Sequence, residues 1–212
     1  GNSASATQTI TVVDTTSPVL IVPESVTKEA VNNKSNPVKI GMSESIDQVE
    51  VSSITNDAPE TFPLGETIVT WTATDSSGNS ASATQTITVV DTTEPTISVP
   101  SNIEVEAISM ESTIVDYGFA QASDQVEVSS ITNDAPETFP LGETIVTWTA
   151  TDSSGNSASA TQTITVVDTT APVITPPQNI IIDTESINTI LEIGLPSVND
   201  IIDDAPSITN DA

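Results

Sequence analysis

The sequence has no cysteine, no histidine and no arginine. Together these absences remove thiolate nucleophiles, Ser-His-Asp triads, zinc sites built on His or Cys, and disulfide staples. Carboxylates and hydroxyls are what remain for chemistry. A hydrolytic carboxylate pair needs a cleft that holds its two groups about 5–9.5 Å apart, and no spacing in the chain points to one. Catalysis is not expected. Positive charge is nearly absent too: the lysines Lys28, Lys34 and Lys39 stand against 30 Asp and Glu, for a net charge of -27. Nothing from Ile40 to Ala212 is basic. Such a surface repels phosphate and anionic headgroups, so nucleic acid is excluded as a partner. No run approaches the roughly 18 apolar residues of a membrane-spanning helix, so direct membrane insertion is not expected. Internal salt bridges cannot neutralise these carboxylates, so solvent cations must, and stability is expected to depend on salt or on calcium. A cysteine-free exported protein is ordinary in prokaryotes, and a prokaryotic, non-animal source is expected.

What is present is repetition. The run DQVEVSSITNDAPETFPLGETIVTWTATDSSGNSASATQTITVVDTT spans 47–93 and recurs unchanged at 124–170. The same offset of 77 residues relates Gly1, Gly78 and Gly155, and also Pro18, Pro95 and Pro172. With each unit starting at the proline after VDTT, residues 1–17 read as the last strand and linker of a preceding repeat. Residues 18–94 and 95–171 are then two complete repeats, and 172–212 is the first half of a further, truncated one. Further units of the same protein, in the same chain or a neighbouring one, are expected to complete the end segments as a filament or repeat array.

Within a unit the pattern is that of strands. Val, Ile and Ala are abundant, and aromatics are few: Trp71, Trp148, Tyr117, Phe62, Phe119 and Phe139. PVLIVP and PTISVP are short apolar runs bounded by proline, suited to an edge strand. SVTKEA and NIEVEA follow as a second strand with Val26, Ile103 and Val105 inward. NPVKIG and STIVDYG read as a third strand, and QVEVSSI as a fourth with Val49 and Val51 on one face. In ETIVTWTATD, Val69, Trp71 and Ala73 share one face and Ile68, Thr70 and Thr72 the other. Trp71 and Trp148 are placed in the core rather than on a carbohydrate-stacking platform. Gly78 and Gly155 in SSGN mark a hairpin, and Ala81, Ala83, Ile87 and Val89 line the inner face of the returning strand. About seven short strands per unit, with frequent turns and no helical period, predict an all-β protein of tandem immunoglobulin-like antiparallel β-sandwiches.

The segment from Phe62 to Pro95 resembles the hyalin repeat (HYR) family. Phe62, Pro63, Gly65, Thr72, Ala73, Thr74, Asp75, Gly78 and Asn79 match the family's phenylalanine-proline-x-glycine turn, threonine-alanine-threonine-aspartate strand end and glycine-asparagine hairpin. Phe139, Pro140, Gly142, Asp152, Gly155 and Asn156 match in the second copy. The resemblance implies an immunoglobulin-like fold, an extracellular or cell-surface location, tandem arrangement, association with adhesion and no catalysis. Many members carry cysteines that are missing here. The expected function is an extracellular structural module forming a stalk, rod or filament of a long secreted or cell-surface protein. The alternative is an adhesin module that binds glycans or another cell surface, with calcium involved.

The candidate metal ligands are carboxylates at recurring positions. Asp14, Asp91 and Asp168 close each final strand just before a linker, where carboxylates of adjoining domains could gather around Ca²⁺, which takes six to eight oxygens. Asp47 and Asp124, Asp57 and Asp134, or Asp75 and Asp152 beside the hairpin could complete such a site. No EF-hand loop occurs, and Asp is also the ordinary residue of turns. Asp200, Asp203, Asp204 and Asp211 form the densest acidic cluster and read as a solvated loop.

Overall fold

The computed structural model describes residues 1–181, 193–203 and 206–209. The chain forms two compact units. Unit 1 comprises Gly1–Glu94 with Asp124–Val128 and Asp152–Asn156; unit 2 comprises Pro95–Ser123, Ser129–Thr151 and Ser157–Ala212. All regular structure among the described residues is strand, in agreement with the all-β expectation.

Unit 1 holds β1 (Val19–Ile21), β2 (Val26–Glu29), β3 (Glu44–Ile46), β4 (Val51–Asn56), β5 (Gly65–Asp75) and β6 (Ser80–Val90). One sheet has the order β2-β6-β5-β4, and the other pairs β1 with β3. The long hairpin β5–β6 is the backbone of the sandwich, with Gly65 opposite Val89 and Thr74 opposite Ser80. Its turn needs a residue at positive φ, and Gly78 supplies it at +92°. Period-two alternation sends Val69, Trp71 and Ala73 inward at 5% exposure or less, while Ile68 stays 59% exposed on the outer face. Phe62, Ile87 and Val89 join them in the core, with Leu20, Val22 and Val26 packed alongside. The indoles are core residues, as the alternation predicts.

Unit 2 repeats this topology with β7 (Thr96–Ser98), β8 (Ile103–Glu106), β9 (Gln121–Ser123), β10 (Val128–Asn133), β11 (Gly142–Asp152) and β12 (Ser157–Val167). Its core centres on Phe139, Val146, Trp148, Ile164 and Val166. Tyr117 stands edge-on to Phe139 and Trp148, at centroid distances of 5.8 and 5.9 Å. Two further strands, β13 (Val173–Thr175) and β14 (Ser197–Asn199), pair as β7 and β9 do.

Several expectations need correction. Each complete 77-residue repeat forms six strands among the described residues rather than about seven, because NPVKIG and STIVDYG make only single bridges, Asn36 to Phe62 and Thr113 to Phe139. In the first of these, Pro37 has no N–H with which to extend the ladder. The sandwich is not wholly antiparallel: β2 runs parallel to β6, and β8 to β12. The fourth strand starts at Val51, so Val49 does not share its inner face and is 59% exposed. Residues 1–17 carry the sequence of a final strand but form none, since no ladder in the described chain pairs with them.

The polar member of the core was not expected. Gln85 lies on the inner face of β6 between Ala83 and Ile87 and is 2% exposed. Trp71 pairs with Ala83, and the Trp71 Nε1–H donates diagonally to Gln85 Oε1 at 3.1 Å. Gln85 Nε2 in turn donates to the carbonyls of Glu24 at 2.7 Å and Ile40 at 2.9 Å. Gln162 does the same for Trp148, Ser101 and Tyr117. One amide thus satisfies the indole and ties two loop carbonyls to the main sheet.

Candidate metal centre

Each hairpin begins with an aspartate that the turn buries. Asp75 is 3% exposed; its Oδ1 accepts from the N–H of Ser77 at 2.9 Å and of Asn79 at 2.8 Å, and its Oδ2 from Asn79 Nδ2 at 2.8 Å. Asp152 has the same partners in Ser154 and Asn156, at the same distances. The side-chain amide of this asparagine also reaches the carbonyl of Asp14 at 3.3 Å, and in the second copy that of Asp91 at 3.2 Å. The hairpin asparagine therefore positions two aspartates, a role the sequence motif alone does not reveal.

Asp14 folds back on its own linker, its Oδ1 accepting from the hydroxyl of Thr16 at 2.7 Å and from its N–H at 3.1 Å. Asp91 accepts from Thr93 N–H at 3.3 Å, and its Oδ2 from the Ser154 hydroxyl at 2.7 Å. Asp47 and Asp124 each use Oδ1 to hold the next turn, through Val49 N–H at 2.8 Å and Val126 N–H at 2.7 Å.

These turns bring Asp14, Asp47 and Asp75 together, and likewise Asp91, Asp124 and Asp152. In each set the three residues can offer carboxylate oxygens that all lie within 4.8 Å of one another. Both sets belong to unit 1. Hydrogen bonds from the Thr16 hydroxyl and N–H hold Asp14 below its ordinary value. Burial pushes Asp152 up, but hydrogen bonds from the Asn156 side chain and backbone outweigh it, and the net shift is downward. Both are therefore carboxylates at neutral pH.

Other candidates fall elsewhere. Asp168 accepts from Thr170 N–H at 3.1 Å and joins neither set. Asp57 and Asp134 cap the edge of β5 and β11 by accepting from Thr70 and Thr147 N–H, both at 2.6 Å. Asp200 accepts from the N–H of Ile202 and Asp203, a turn like that of Asp124, while Asp204 and Asp211 lie outside the described residues.

A second carboxylate device went unread in the sequence. Glu29, at the end of β2, takes hydrogen bonds from Thr92 N–H at 2.8 Å and from the hydroxyls of Thr92 and Thr93 at 3.0 and 2.9 Å. Glu106 binds Thr169 and Thr170 in the same way. The VDTT segment leaving each final strand is thereby pinned to its own sheet.

The HYR domain family model matches residues 13–89 and 90–166. The chain belongs to the HYR domain family. Its two HYR domains keep the 77-residue period, and each matched stretch contains one complete aspartate set. The chain is 40% identical over 216 residues to hyalin of Strongylocentrotus purpuratus, covering 94% of itself and 18% of that protein. It is 39% identical to hyalin of Lytechinus variegatus, covering 94% of itself and 40% of the relative. It is also 41% identical over 101 residues to sushi, von Willebrand factor type A, EGF and pentraxin domain-containing protein 1 of Rattus norvegicus, covering 46% of itself and 3% of that protein. The chain thus spans well under half of the hyalins it matches. These relatives are animal proteins, and the expectation of a prokaryotic source is not borne out. Among solved structures the chain is similar to Drosophila N-cadherin EC1-4, with 14% identity, 72% of this chain and 50% of that one covered, and a TM-score of 0.35.

Proposed function

We propose that these HYR domains are non-catalytic spacers in a longer extracellular protein, a stalk or rod in which folded units follow one another at a fixed interval. The observation that supports this reading is the pinned exit segment. A flexible tether would leave its threonines in solvent, whereas Glu29 and Glu106 each tie two of them to the preceding sheet. Short, immobilised connections favour extension over coiling. Small-angle scattering on arrays of two, four and six 77-residue repeats tests the proposal. The maximum dimension should grow in proportion to repeat number; growth close to its square root would refute it.

A second reading, an adhesin module that engages a glycan or another cell surface, is favoured by one specific feature. The residue after a repeated glycine is a large apolar side chain almost wholly in solvent: Met42 and Phe119 at 89% and Leu195 at 91% exposure. Folding does not require these exposures. Loss of cell-surface binding by the chain on Phe119→Ser would favour this reading, and absence of any such binding would leave the spacer.

A further inference from the structure

We infer that a groove in the first repeat, lined by β2 and residues 37–39, binds a sugar carrying one carboxylate, a uronic acid at the end of a glycan chain. The inference goes beyond the spacer reading and does not rest on it. Lys28, Lys34 and Lys39 are all the positive side chains of the protein. Two of them, Lys28 and Lys39, line a groove of about 500 Å³ together with Val26, Pro37, Val38 and Glu60. That volume falls in the range of small-ligand sites, about 300–1,000 Å³. The groove lies wholly within unit 1.

The second repeat shows what folding asks of these positions. Lys28 stands opposite Val89 in the parallel ladder, on the same face of β2 as Val26, which packs on the core. Its counterpart 77 residues on is Val105, opposite Val166 and packed on the core of unit 2. Lys39 is replaced there by Asp116 and Pro37 by Ile114, while Glu137 keeps the carboxylate of Glu60. The sandwich therefore forms without either lysine. A lysine stem can cover apolar surface while its ammonium reaches water, which explains how Lys28 fits but not why a second ammonium shares the opening. Both side chains are exposed, and no ion pair among the described residues engages them.

The lining sets the chemistry of the ligand. Two ammoniums against one carboxylate leave a surplus of positive charge that a single carboxylate neutralises. A polyanion would run past the groove into the field of a chain whose net charge is -27, so a lone anionic group on an uncharged carrier is what the site admits. Val26, Pro37 and Val38 give an apolar wall for the C–H face of a sugar ring. The ammoniums donate to the ligand carboxylate, and the Glu60 carboxylate accepts from ring hydroxyls. An acidic peptide side chain brings the charge but no hydroxyl for Glu60, which favours the sugar.

The test is a titration of the whole isotope-labelled chain with methyl glucuronide at low ionic strength, followed by amide NMR shifts. Saturable shifts are expected around Val26, Lys28, Val38 and Lys39, with none at Ile103, Val105, Val115 and Asp116. Methyl glucoside, which has the same ring without the carboxylate, should bind at least about tenfold more weakly, the loss expected of one charge-assisted contact. Lys28→Val and Lys39→Asp install the residues that the second repeat already carries, so the fold tolerates them, and together they should abolish the shifts. Lys34→Glu removes a lysine outside the groove and should leave the affinity within about twofold. No saturable shift at tens of millimolar glucuronide, equal binding of the glucoside, or unchanged binding by the double variant would overturn the inference. Tighter binding of an N-acetylglutamate amide than of the glucuronide would overturn it in favour of an acidic peptide. Arrays that lengthen in proportion to repeat number without binding the glucuronide would sink this site and keep the spacer; arrays that bind it but coil would do the reverse.

Discussion

Replacing both core glutamines, Gln85→Leu with Gln162→Leu, is the perturbation whose consequence the structure defines most fully. Leucine fills a similar volume and is well suited to an apolar core, so a purely hydrophobic account predicts little change or a gain. The hydrogen bonds predict the opposite. Each substitution strands an indole N–H inside the core and releases two carbonyls, those of Glu24 and Ile40 in one unit and of Ser101 and Tyr117 in the other. An unsatisfied buried group costs about 1–3 kcal/mol. The carbonyls lie at part-buried positions where water can recover some of the loss, and the added apolar surface returns some more, so about 3 kcal/mol per unit is expected. For domains of this size that is a fall in Tm of about 12–24 °C. It is also a large fraction of the total, since small domains hold only about 0.05–0.15 kcal/mol per residue. Thermal and urea unfolding followed by far-ultraviolet circular dichroism measure it. Combining the change with Trp71→Phe and Trp148→Phe closes a double-mutant cycle, in which the glutamine change should cost less once no indole N–H remains. A loss below about 1 kcal/mol, or a cycle with no coupling, would refute the claim that the amide is there for the indole.

Three further outcomes are expected. Hydrogen bonds from the Thr92 N–H to Glu29, and from the Thr170 hydroxyl to Glu106, lead the causes that lower both groups from their ordinary value of 4.5. A lowered folded-state value contributes stability above the unfolded value that is lost as pH falls through the folded one. Urea midpoints should therefore drop as the pH goes below about 4.5, and Glu29→Gln with Glu106→Gln should flatten that drop. Val126→Ala should cost about 1.6 kcal/mol, from two buried carbons at about 0.8 kcal/mol each, whereas Val49→Ala should be close to neutral; equal losses in urea unfolding would contradict the 8% and 59% exposures. Gly78→Ala should destabilise by about 1–2 kcal/mol in the same assay from backbone conformation alone, because φ is +92° and no atom lies within 4 Å of the added methyl.

Much of the fold was legible because a strand with one buried face writes its period into the sequence. TIVTWTATD and SASATQTITVV alternate, and SSGN names the turn between them, so the central hairpin, its glycine and its inward tryptophans could be read directly. The short pairings were harder. A three-residue strand such as β1 or β3 carries too little alternation to fix its partner, and NPVKIG looks like a strand yet forms a single bridge. Gln85 was passed over because a polar residue on an inner face reads as a break in the pattern, although it stands diagonally across from the one core residue that needs an acceptor. The carboxylates were legible as candidates but not as sets. Of the nine candidate aspartates at recurring positions, six converge in two sets, Asp168 joins neither, and Asp57 and Asp134, equally plausible by type, are used up on strand-edge N–H groups.

The sequence by itself determined the period, the β class, the buried face of the long hairpin and the surplus of negative charge, because each depends on residues near one another in the chain. Tertiary structure decided whatever depends on distant partners: the parallel pairing of β2 with β6, the burial of a glutamine, and which aspartates meet. Val49 and Val126 show the division most sharply. Both sit in the same sequence, DQVEV, yet one is 59% exposed and the other 8%, because what covers a side chain comes from elsewhere in the fold and not from its neighbours in the chain.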